Sequence, residues 1–82
     1  VKSTKHGDAM YKQGINIEAI ERQAWKEGML VTNGHTWKVM RFDYVVGAVS
    51  GKETKYMRVE WTSGGVIHGH PITEADYKKY LK

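Results

Sequence analysis

The chain contains no cysteine. In 82 residues that is the tightest constraint on what it can fold into. A domain of this size buries a modest fraction of its surface, and small domains often make up the difference with disulfides or thiolate metal sites. Neither is open to this chain, so stability must come from packing three Trp, five Tyr and scattered aliphatic residues. The length sets a single domain, residues 1–82. The chain begins with Val1, and the expectation is that it is the terminal module of a longer protein. Its longest apolar stretch, Tyr44-Val45-Val46-Gly47-Ala48-Val49, is far too short to span a bilayer, and no segment has the pattern of a signal peptide.

Thirteen Lys and Arg stand against nine acids, a formal net charge of +4. A basic surface is common on small domains as plain solvation. It is also the electrostatic footprint of a protein that meets RNA or DNA, and the same field attracts an acidic protein.

Residues His6 to Lys12 are expected to form a short helix ended by Gly14. Asn16 suits an N-cap, and Ile17, Ile20, Ala24 and Trp25 follow at helical spacing. Glu18 and Glu21 lie early and Lys26 late, as the helix dipole prefers, and Gly28 is placed to end the helix. Asn33-Gly34 is a two-residue hairpin signal joining a strand at Met29–Thr32 to a longer one at His35–Val46. A break from Gly47 to Thr54 comes next, followed by a strand at Lys55–Trp61, a turn at Ser63-Gly64-Gly65 and a strand at Val66–His70. Pro71 is expected to end the pairing. Thr73, with Asp76 three residues on, caps a last helix over Glu74–Leu81, which Tyr77, Tyr80 and Leu81 can dock. The expected class is α+β: N-terminal helices packed on a small antiparallel sheet of three to four strands, with a short C-terminal helix.

Period two assigns the strand faces. Met57, Val59 and Trp61 share one side with Ile67, Gly69, Met40, Phe42 and Tyr44. If that side meets the helix, the other collects Arg41, Asp43, Arg58, Glu60, His68 and His70. Antiparallel sheets often keep one wet face with cross-strand ion pairs, and the Arg and Glu positions fit that account. Two His beside them call for more. Such a face suits RNA cleavage by 2′-hydroxyl attack without a metal. His serves as acid or base near neutral pH, Arg presents a planar fork to phosphate, and Glu60 or Asp43 orients a His or acts as base. Thr54 adds a hydroxyl contact to phosphate. Lys5 with His6 forms a second basic locus, and His6 joins the site if the first helix packs at the sheet edge. Arg41, Lys52 and Lys55 extend the basic surface. The competing account is a metal site in which His68-Gly69-His70 supplies two ligands and His6 or Glu60 a third. Trp25 and Trp61 fall on core positions, whereas Trp37 lies on the polar face and can stack a nucleobase. His35 has no assigned role.

The segment Val46–Pro71, VGAVSGKETKYMRVEWTSGGVIHGHP, resembles the ending of bacterial polymorphic toxin domains. There a glycine turn leads to a Thr, an Arg-Val strand and a Gly-x-Ile-His-Gly-x-Pro close. The opening KHGDAMYKQGINIEAIERQAWKEG resembles the His-then-helix start of such modules. Thr54, Arg58, His68, Gly69, Pro71 and His6 match the pattern. Glu60 departs from it, standing where the class has His after Arg-Val, which makes Glu60 and His68 the pair to test. The resemblance implies the C-terminal nuclease module of a large secreted or cell-surface effector of the contact-dependent growth inhibition type. It implies the compact fold of barnase, EndoU, colicin and RelE-type ribonucleases, with tRNA as substrate and no cofactor. It further implies action in the cytoplasm of a target bacterium, neutralisation by a cognate immunity protein, and in some members reliance on a host translation factor. The resemblance and the polar face together give His68, Arg58, His6, Thr54 and Glu60 as the expected catalytic set; from the polar face and the basic surface, Lys5, Arg41, His70, Trp37, Lys52 and Lys55 are expected to contact RNA.

Overall fold

A computed structural model describes residues 5–6, 9–62 and 64–82. Over them the chain is an α+β domain. In order it runs β1 (Lys5–His6), β2 (Ala9–Tyr11), α1 (Ile17–Glu27), β3 (Met29–Leu30), β4 (Trp37–Arg41), β5 (Gly47–Val49), β6 (Lys52–Thr54), β7 (Tyr56–Trp61), β8 (Ile67–Ile72) and α2 (Glu74–Tyr80). Two antiparallel sheets result, ordered β1-β2-β5-β6 and β3-β4-β7-β8.

Helix α1 begins where its cap predicts. The Asn16 Oδ1 accepts from the Ala19 amide at 3.1 Å, and Glu18 sits in the first turn and Lys26 in the last. Its apolar stripe places Ile20 and Ala24 on one face of the second sheet. There they join Tyr11, Phe42, Val46, Met57 and Val59 in the main core. Trp61 continues the stripe at the edge, tilted against Trp25 at 5.4 Å and about half exposed (47%). Gly28 ends the helix in extended geometry, not left-handed. Its lack of a side chain serves close packing, since a Cβ there would lie 2.4 Å from the Ala24 carbonyl oxygen.

Four sequence expectations are corrected. The segment expected as a first helix is two strands, β1 and β2, with Ala9 and Tyr11 buried around an exposed Met10. That is strand periodicity. The expected break from Gly47 to Thr54 is the hairpin β5–β6, turned by Ser50 (φ 52) and Gly51 (φ 83) between the paired residues Val49 and Lys52. Two positive φ values in a two-residue loop make the tight turn expected of Asn33-Gly34. Asn33-Gly34 instead lies in a wider loop, where Gly34 alone takes positive φ and Asn33 Oδ1 accepts from the His35 amide at 3.0 Å. This shortens the strand expected over His35–Val46 to Trp37–Arg41. Finally, Pro71 does not end the pairing. It lies inside β8 opposite Met57, and β8 is an edge strand, where a missing amide costs no ladder bond. Of the turn expected at Ser63-Gly64-Gly65, Ser63 lies outside the described residues; Thr62 closes it by donating to the Val66 carbonyl at 2.9 Å.

Helix α2 is capped by Thr73, whose hydroxyl oxygen accepts from the Asp76 amide at 3.0 Å. It packs on the face of the sheet opposite α1. Val31, Val39 and Ile72 form a second buried cluster there, with Trp37, Tyr56, Tyr77, Tyr80 and Leu81 around it. The face expected to be wholly polar is therefore divided by a helix.

Candidate functional site

Strand register sets out that face in rows. Trp37 pairs with Glu60 and Glu60 with His68; Val39 pairs with Arg58 and Arg58 with His70; Arg41 pairs with Tyr56 and Tyr56 with Ile72. Directly opposed residues share a face, so each row is a line of neighbouring side chains. Helix α2 overlies the second and third rows and the Trp37 end of the first, through Tyr77, tilted against Tyr56 at 4.7 Å, and Tyr80, edge-on to Trp37 at 5.8 Å. The rest of the first row stays open, with His68 exposed and Glu60 partly so.

Arg58 lies beneath this surface, its side chain 10% exposed. One ring face of Trp37 covers its guanidinium at 3.9 Å, and Tyr80 lies at 5.9 Å. Its Nη2 donates to Glu60 Oε1 at 3.4 Å, and its Nε is buried without a hydrogen-bond partner. Cation–π contact offsets part of the cost of burying the charge, but one long carboxylate contact leaves the fork underused.

The other expected residues are placed as follows. Arg41, Lys52 and Lys55 are exposed and line one cleft of ≈ 520 Å³ with Thr54, Thr73 and Glu74. Arg41 pairs loosely with Asp43 at 3.9 Å. This cleft lies two rows from His68, so the structure separates the basic groove from the Glu60–His68 pair. His70 lines a hollow with Ser50, Asp76 and Tyr80. Thr54 is buried, and its hydroxyl donates to the Ile72 carbonyl at 2.6 Å and accepts from the Tyr56 amide at 3.2 Å. Its single donor is thus engaged in fixing β6 to β8, which corrects the expectation of a phosphate contact. Trp37 has Arg58 on one side and His35 stacked on it at 4.1 Å and 7°, so its ring is not the open platform expected. The side chains of Lys5 and His6 lie outside the described part, so the expected roles of both lie there too. Among the described residues no three His, Asp or Glu gather as metal ligands.

Two groups were given no part in the site by the sequence. Glu21, on α1, reaches the free edge of β8, where its Oε2 accepts from the Gly69 amide at 2.9 Å and from the Tyr11 hydroxyl at 3.0 Å. Burial raises the Glu21 pKa; the two hydrogen bonds and the neighbouring His68 lower it, and Glu18 raises it further. Burial, with the Glu21 carboxylate beside it, raises the Tyr11 phenol too, so Tyr11 stays protonated as a donor. The available signal was the position of Glu21 one residue after Ile20, at the border of the apolar stripe. The second group is His35, in the loop two residues before Trp37, whose ring it stacks on. No family model, curated protein or solved structure matches the chain.

Proposed function

We propose that this domain is a metal-independent ribonuclease of the polymorphic-toxin type, cleaving tRNA in a target bacterium by attack of a 2′-hydroxyl on the adjacent phosphate. The observation that carries the proposal is Arg58: a buried, under-paired guanidinium in the row beside a partly open Glu60–His68 pair. A cation in a low-dielectric pocket is worth most to a phosphorane whose charge grows during reaction. Glu60 takes the 2′-hydroxyl proton as the O2′–P bond forms. His68 gives a proton to O5′ as the P–O5′ bond breaks. Arg58 stabilises the equatorial oxygens, exchanging its long contact with Glu60 for phosphate. The products are a 2′,3′-cyclic phosphate and a 5′-hydroxyl, and no redox partner is needed. His70 supports Arg58 from the next strand, and Arg41, Lys52 and Lys55 guide the RNA backbone along the cleft. His6 remains the second acid–base candidate from the resemblance, which also supplies a secreted or cell-surface effector as carrier and an immunity protein as partner.

Incubating tRNA and total RNA with the domain in excess EDTA tests this. The expected result is cleavage to cyclic-phosphate ends, abolished in His68→Ala. Cleavage only after a divalent ion is restored would replace the proposal with a metal-dependent nuclease. RNA binding without product, weakening steeply with salt, would replace it with a non-catalytic binding module.

A further inference from the structure

We propose that the outer face of His35 is a nucleobase subsite, taking the single-stranded base next to the cleaved bond; this rests on the ribonuclease assignment. Trp37 is held between two planar groups. Arg58 sits opposite Val39, two residues after Trp37 on β4, and lies over the indole at 3.9 Å, while His35, in the loop before β4, stacks on it at 4.1 Å. The result is a column, Arg58–Trp37–His35, buried at one end and exposed at the other.

The loop holds the exposed end in place. Asn33 Oδ1 accepts from the His35 amide, Gly34 makes the reversal at φ +89, and the Trp37 carbonyl accepts from the Val31 amide at 3.1 Å. Tyr80 fixes the indole from its edge. An imidazole stacked within 7° of a clamped indole presents a flat, rigid π surface to solvent. Bases stack on such surfaces whatever their identity, because each has a π face. Position identifies the occupant. Trp37, Glu60 and His68 form one row across three strands, so Trp37, the middle of the column, stands about 10 Å from His68, two inter-strand steps, and His35 stacks 4.1 Å beyond it. A base on the outer face of His35 is then within reach of a nucleotide neighbouring a phosphate held at Glu60, His68 and Arg58.

The test uses the full chain in EDTA and a short, fully 2′-O-methylated RNA oligonucleotide, which lacks the attacking hydroxyl. It carries 2-aminopurine at successive positions, and a matched set carries an abasic residue at each. At one position wild type is expected to quench 2-aminopurine, and the abasic oligonucleotide to bind about 5- to 150-fold more weakly. His35→Ala should bind the base-containing oligonucleotide as weakly as wild type binds the abasic one, with no further loss for the abasic oligonucleotide. His35→Phe should keep the quench. An unchanged affinity in His35→Ala, or equal binding of abasic and intact oligonucleotides by wild type, overturns the subsite. His35 is exposed, so unfolding curves matching wild type are expected for both variants. Cleavage of unmodified RNA is scored separately: cleavage without base-dependent binding sinks the subsite alone, and base-dependent binding without cleavage sinks the ribonuclease assignment alone.

Discussion

Replacing Glu21 separates what its hydrogen bonds do from what its charge does. Both of its bonds converge on one oxygen, Oε2. In Glu21→Gln the amide oxygen takes that place and keeps the Tyr11 and Gly69 donors satisfied while the charge disappears. In Glu21→Ala both donors lose their partner. The Tyr11 hydroxyl belongs to a side chain 2% exposed, and Gly69 is buried. An unsatisfied buried donor costs about 1–3 kcal/mol, and because Glu21 itself is half-buried, water limits each loss to the low end, for a total of about 2–3 kcal/mol. For a domain of this size that is a fall of roughly 8–24 °C in Tm.

The charge shows in the pH dependence. The folded-state pKa of Glu21 is raised, so the folded protein holds this proton more tightly than the unfolded chain does. Protonation therefore favours the fold. The contribution is fully present below the unfolded value and is lost as pH rises through the raised folded value. Relative to wild type, Glu21→Gln should gain stability as pH rises from the ordinary carboxylate range through the raised folded-state value and level off above it, while Glu21→Ala stays below Gln throughout. Urea midpoints at several pH values measure both. If Gln and Ala variants unfold together, the hydrogen-bond account is wrong. If the difference between Gln and wild type does not change with pH, burial of the carboxylate is not what raises its pKa.

Gly47→Ala should be among the most damaging small changes in the chain. A Cβ there would meet the Met10 carbonyl oxygen at 2.3 Å and Pro71 Cγ at 2.5 Å, where the two sheets touch. A loss of about 3 kcal/mol is expected in denaturant unfolding, against almost none for Gly64→Ala, whose Cβ would meet nothing within 4 Å. In Arg58→Lys the charge stays but the planar fork and its stacking on Trp37 are lost. Single-turnover cleavage should fall by about 100-fold with RNA affinity nearly unchanged, and a parallel loss of affinity would make Arg58 a binding group only.

The legible parts of the fold were those governed by local chemistry. Asn16 and Thr73 announced their helices because a capping side chain needs only its own next turn. Met57, Val59 and Ile67 announced their face because alternation belongs to a single strand. The illegible parts depended on partners distant in sequence. Ala9-Met10-Tyr11 is too short to distinguish two periodicities, and it becomes a strand by pairing with Gly47–Val49. Asn33-Gly34 and Ser50-Gly51 both permit a tight turn, and only the second is flanked by residues that pair immediately.

The same division explains the site. Pairing of Glu60 with His68 and of Arg58 with His70 follows from alternation plus a hairpin, so the sequence could place them on one face. It could not show that α2 covers half of that face, because Tyr77 and Tyr80 dock equally well, by pattern alone, on either side of the sheet. That docking changes the chemistry most. It turns Arg58 from a surface cation, screened by water and of little energetic weight, into a buried one covered by Trp37, with Tyr80 beside it. It also leaves the basic cleft at Arg41, Lys52 and Lys55 on the far side of the helix from His68. If the proposed ribonuclease binds RNA along that cleft, the strand has to pass around α2 to reach the Glu60–His68 row, and the helix would then set which phosphate arrives there.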